Sequence, residues 1–294
     1  MAFMFRVARG GFGMVTIGGA ICLVLVLAVI GGCGNARLVL PITIDPTSIS
    51  VPTDGRELKT DPAAVRGIAA ILARDLGLPV PARFTVFLYG SAKSFERGLV
   101  RDGDVSPSRA AELADFAIGV GRRRQLLLNE EGADSSRREW LRLIAHEMTH
   151  VCQIELAEGE GRAAQWLAEG MAEWVAFTVL ERLHLDTMPN RREIARRGIR
   201  NHAALISARL DLATLGTPRG FTVRHLREGS VPTYQLAFLM TDYLIHQHGF
   251  SRVVDYIRSF GTSQTPRENF ERAFGSTLED FEREILTHLK SLIP

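Results

Sequence analysis

The chain has 294 residues, 46% of them hydrophobic and 23% charged, a composition that fits one folded domain with an ordinary core and excludes a mostly disordered chain. Its three cysteines, Cys22, Cys33 and Cys152, are too few for a disulfide-built module. The formal charge is +2, and without Arg6 and Arg9, which lie in a segment read below as an export signal, 33 acidic side chains face an equal number of basic ones; that balance speaks against a nucleic-acid partner.

Residues 1–13 hold Arg6 and Arg9 and no acid, and residues 14–30 read MVTIGGAICLVLVLAVI, without a charge. A basic start before an apolar stretch is the pattern of a secretory signal; an uncleaved membrane anchor is the rival. The stretch ends in Ile30-Gly31-Gly32-Cys33, which resembles the bacterial lipobox. That resemblance implies cleavage before Cys33 and acylation of its thiol. A plain anchor helix with an incidental cysteine is the alternative. Both readings place residues 34–294 outside the cytoplasm, tethered to a membrane of the bacterial cell envelope and facing the periplasm or the exterior.

Residues 35–62 contain Pro41, Pro46, Pro52 and Pro62 among many Thr, Ser and Asp residues. They read as a spacer, which gives three segments: signal 1–32, lipid anchor and spacer 33–61, and a domain over 62–294. Helical spacing runs from Ala63 to Leu76 and stops at Gly77 and Pro79. Residues 83–89 are rich in strand formers, a short helix follows around 92–99, and 116–120 and 125–129 read as two strands. Arg122, Arg123 and Arg124 form the turn between them, expected to be a solvated tip. From residue 137 onward nearly everything has helical spacing. The fold class is therefore α+β: a small mixed or antiparallel sheet subdomain packed on one helix, then a mainly helical C-terminal subdomain.

Within a predicted helix over 137–156 lies His146-Glu147-Met148-Thr149-His150. Residues four apart on a helix differ by about 40° in direction, so the two imidazoles leave one face, a turn apart. That spacing suits two neutral nitrogens on one metal ion. Trp140, Leu141, Ile144, Met148, Val151 and Cys152 occupy another arc, which makes Cys152 a packing residue. Glu147 stands beside the metal position without ligating it, as a general base requires.

A second apolar run, 165–183, is expected to be a buried helix, and it carries Glu169 and Glu173 on one face. A buried carboxylate needs a partner. A metal ion satisfies one, and the second ring nitrogen of a ligating histidine satisfies the other.

The pair HEMTH and WLAEGMAEW, with eighteen residues between His150 and Glu169, resembles the gluzincin (thermolysin-like, MA clan) zinc metallopeptidases, especially the peptidase MA-like family. The resemblance implies a zincin-like fold over 62–294 and a Zn2+ cofactor held by His146, His150 and Glu169. It makes Glu147 the base in peptide-bond hydrolysis of a peptide or protein substrate. Glu173 then orients a ligand histidine; Glu173 as the ligand itself is the alternative. Such enzymes add a donor for the oxyanion, and Tyr234, at the start of a helix over 233–248, and His225 are the candidates. Residues 125–129 are the candidate strand for pairing with substrate. His184, His202, His246, His248 and His288 have no ligand-like spacing. The rival function is a membrane-tethered envelope binding or assembly protein on an inactive zincin scaffold. Labelled fatty acid is expected to enter the full chain and not a Cys33→Ala variant; equal labelling of both would leave the uncleaved anchor.

Overall fold

The computed structural model describes residues 37–45, 48–115, 117–131, 136–159, 163–202, 206 and 210–292. The expected signal, its lipobox and Cys33 lie outside the described residues. Among the described residues no helix is long and apolar enough to cross a membrane.

The order is β1 (Arg37–Thr43), a short 3-10 turn (Gly55–Glu57), α1 (Asp61–Arg74), β2 (Arg83–Tyr89), α2 (Ala92–Arg101), α3 (Pro107–Ala114), β3 (Gly119–Arg122), β4 (Gln125–Asn129), α4 (Arg137–Leu156) and α5 (Gln165–Arg182). Seven more helices follow among the described residues: α6 (Met188–Asn201), α7 (Leu212–Leu215), α8 (Pro218–Glu228), α9 (Ser230–His248), α10 (Phe250–Ser259), α11 (Pro266–Phe274) and α12 (Leu278–Ser291). This is the expected α+β arrangement, with a small mixed sheet first and a helical part after it.

The strands lie in the order β1-β2-β4-β3. β1 is antiparallel to β2, β2 parallel to β4, and β4 antiparallel to β3. Side chains alternate across the sheet as strand geometry requires. Phe84, Val86, Leu88, Leu126 and Leu128 join the main core with residues of α1 and α4. Phe87, Tyr89 and Leu127 join a smaller cluster with Phe95 and Leu99 of α2 on the other face.

Two expectations are corrected here. The described part of the expected spacer is not free: Arg37–Thr43 pairs along the whole of β2, and Ile42, Ile44 and Leu58 are core residues. Pro41 misleads because an edge strand tolerates a residue that cannot donate to the ladder. Residues 125–129 are not available to a substrate strand either. β4 is paired on both sides, so its main-chain groups are already used, and the free edge next to it belongs to β3. The arginine turn is solvent-exposed at Arg123 and Arg124, as expected, and Arg124 reaches Glu155 near the end of α4.

Ser136 caps α4 by accepting from the N–H of Glu139 at 3.2 Å. From Trp140 to Val151 nearly every side chain of α4 is buried, His146 and Glu147 included, and His150 is half-buried. α5 is buried on most of its circumference, with α4 on one side and α9 on another. Its Gly170 lets α9 come close: a Cβ there would collide with the Thr241 hydroxyl and the Ala237 carbonyl oxygen. Gly170→Ala gains about 1 kcal/mol of helix propensity, but the overpacking costs about 1–3 kcal/mol and involves backbone that cannot swing aside. Denaturant unfolding is expected to show net destabilisation; a variant as stable as the parent would mean that α9 shifts freely.

Candidate metal centre

α4 and α5 bring His146, His150 and Glu169 to one point, and one ligand atom from each lies within 4.8 Å of the others. His146 Nε2 is 3.2 Å from Glu169 Oε2, His150 Nε2 is 3.3 Å from the same oxygen, and the two Nε2 atoms are 3.2 Å apart. The three atoms thus form a nearly equilateral triangle. A tetrahedral ion with bonds of about 2.0–2.1 Å sets its ligand atoms about 3.3–3.4 Å apart. The donor set and the spacing fit a divalent cation, and this buried group can hold one.

Hydrogen bonds outside the triangle aim each ligand. Glu169 Oε1 accepts from Gln165 Nε2 at 2.7 Å, which turns Oε2 toward the imidazoles. His150 Nδ1 lies 2.9 Å from Gln153 Oε1, and Gln153 Nε2 donates to the Ala168 carbonyl at 2.9 Å. Behind His146, Glu173 Oε1 approaches Nδ1 to 3.1 Å, close but off the axis of a good hydrogen bond. Glu173 also accepts from Arg142 Nη1 at 2.7 Å. Glu173 therefore lies behind a histidine and outside the triangle. Arg142 donates through Nε to Glu139 Oε2 at 2.8 Å, and Glu139 Oε1 accepts from Arg191 of α6 at 3.0 Å.

Burial disfavours every one of these charges, and pairing overrides it. Glu169 is held far below the usual carboxylate range by the two histidines. Glu173 is lowered to about 2 by Arg142 and His146. His146 is lifted to about 10 by the carboxylates of Glu169 and Glu173, and His150 is raised by Glu169. A cation needs neutral imidazoles, so metal uptake at this point releases protons.

Glu147 is different: burial leaves its pKa raised, against the pull of both histidines. Its Oε2 accepts from the Gly121 N–H of β3 at 2.7 Å. Two glycines of β3 permit that contact. A Cβ at Gly119 would lie 2.7 Å from Glu147 Cγ, and one at Gly121 would collide with the Glu147 carbonyl oxygen and stand 2.9 Å from His150 Cβ. Backbone thus packs flush against the α4 face that bears the site.

An open cleft of about 290 Å³ runs past these groups, lined by His146, Glu147, Glu173, His225 and Tyr234 together with Arg142, Phe177, Arg191, Ala195 and Phe238. Both expected donor candidates are there: the Tyr234 ring centroid is 6.0 Å from those of His146 and His225. Burial and the surrounding carboxylates hold the Tyr234 phenol well above its usual pKa, so it keeps its proton. The remaining histidines, His184, His202, His246, His248 and His288, are not among the cleft residues, and Cys152 is buried, as a packing residue should be. Gln153, Gln165, Arg142 and the two β3 glycines were not singled out from the sequence. The glycine alternation Gly119-Val120-Gly121 was the one local signal available, because glycine inside a strand marks a close backbone approach.

The chain matches no protein-family model, no curated protein and no solved structure.

Removing Arg142 as Arg142→Leu strips Glu173 and Glu139 of a buried counter-charge. Breaking one partner of such a pair costs about 3–5 kcal/mol, so urea unfolding is expected to show a large loss of stability. A loss below about 1 kcal/mol, the scale of an exposed pair, would mean that water replaces the guanidinium.

Proposed function

We propose that this chain is a zinc-dependent peptide-bond hydrolase that works outside the cytoplasm. One observation carries the reading: His146, one corner of the His146, His150 and Glu169 triangle, lines a cleft beside a buried carboxylate, Glu147, that is no part of the triangle. A structural metal site has no use for such a carboxylate, whereas hydrolysis needs a base beside the metal. The resemblance of HEMTH and WLAEGMAEW to gluzincins points the same way, and zinc is the ion that two imidazoles and a carboxylate at this spacing suit.

His146, His150 and Glu169 would hold the zinc, which would supply Lewis acidity to a scissile carbonyl and acidify a neighbouring water molecule. Glu147 takes the proton from that water and returns it to the leaving amine. The Gly121 N–H holds Oε2, and Oε1 accepts no hydrogen bond among the described residues, so one oxygen orients the carboxylate while the other carries the proton. Burial raises the proton affinity of Glu147 toward the range a base needs at neutral pH. Tyr234 keeps its O–H and lines the cleft, as a donor to the oxyanion must, and His225 beside it is the alternative. The basic start, the apolar stretch and Ile30–Cys33 support a lipoprotein of the bacterial envelope.

The purified protein is expected to hold one zinc per chain by elemental analysis and to lose it in His146→Ala. Glu147→Gln should retain the metal and cleave peptides about 10²–10⁴-fold more slowly. Parental cleavage by a zinc-loaded Glu147→Gln protein would sink the base. A parent chain without metal would favour the envelope binding or assembly protein instead.

A further inference from the structure

The two histidines of the triangle are supported unequally. Behind His146 stands Glu173, a carboxylate whose charge is matched by Arg142. Behind His150 stands Gln153, an uncharged amide. Gln153 is buried, and both ends of its amide are engaged. Its Nε2 donates to the main-chain carbonyl of Ala168, which leaves Oε1, an acceptor only, facing the ring. His150 Nδ1 is then the protonated nitrogen, and the lone pair sits on Nε2, the atom that points into the triangle.

We propose that Gln153 is the positioning residue of His150: it fixes the tautomer that presents Nε2 to a metal and ties that ring to the carbonyl just before Glu169. This rests on the metal-site reading above. Ala168 immediately precedes the Glu169 ligand, so one side chain couples a ligand of α4 to a ligand of α5. The residue type follows from the two contacts. A glutamate in the same pose accepts from Nδ1–H but sets oxygen against the Ala168 carbonyl, and a leucine serves neither end.

Zinc affinity measured by competition with a chromophoric chelator tests this in the full chain, its Gln153→Leu variant and its Gln153→Glu variant, beside the melting temperature of each metal-free protein. Gln153→Leu should bind zinc about 10–100-fold more weakly. Gln153→Glu should recover most of that loss, although it too gives up the bond to Ala168. A residue that merely straps two helices together predicts equal melting losses in both variants and zinc affinity unchanged from the parent, which would overturn the proposal. Should Gln153→Leu fail to fold, a nitrogen-15 histidine spectrum of the metal-free parent, taken at a pH where the ring is neutral, reads the tautomer directly. His150 protonated at Nδ1 supports the proposal, and the reverse tautomer overturns it. A parent with no measurable zinc affinity overturns the metal-site reading and this inference together; tight binding that Gln153→Leu leaves intact overturns this inference alone.

Discussion

The interior between α4, α5 and α6 contains more carboxylates than a protein core tolerates unless each has a counter-charge. Glu139, Glu147, Glu169 and Glu173 all line or adjoin one cleft. Three of them are answered by groups the structure displays: Glu139 by Arg142 and Arg191, Glu173 by Arg142 and His146, Glu169 by both histidines. Glu147 alone faces them without a cationic partner of its own and takes a single main-chain N–H. The order of these charges divides the region into two parts. Toward α6, arginines compensate the acids permanently. Toward α5, imidazoles do so, and imidazoles can exchange a proton for a metal.

Both parts depend on close helix and strand packing. Gly170 brings α9, which carries Tyr234, down onto α5. Gly119 and Gly121 bring β3 down onto α4. Three missing side chains therefore fix the walls around the triangle, and the small sheet serves the site as much as it serves the core.

Much of this was legible in the sequence because helical spacing is a local property. His146 and His150 four apart, and Glu169 and Glu173 four apart, define faces before any tertiary contact forms. The apolar density of 165–183 already implied burial, hence partners for its two acids. What was not legible depends on which segments meet. Arg142 and Gln153 look like ordinary polar positions of an amphipathic helix until Glu173 and Ala168 arrive from α5. The strand 125–129 was read correctly as a strand, but its place inside the sheet follows from the parallel pairing with β2, a contact across the whole α2–α3 connection. β1 was hidden because prolines and threonines compose an edge strand as readily as a spacer.

The strand bordering the cleft contributes backbone to Glu147 and packs against His150, and it carries no side chain at either glycine. Side chains at those two positions are thus blocked by sterics on the α4 side, while Ile194 and Ala195 line the cleft from α6. Diversification of what the groove accepts falls to α6, and an engineer wishing to retarget the molecule has a helix to mutate in place of a strand.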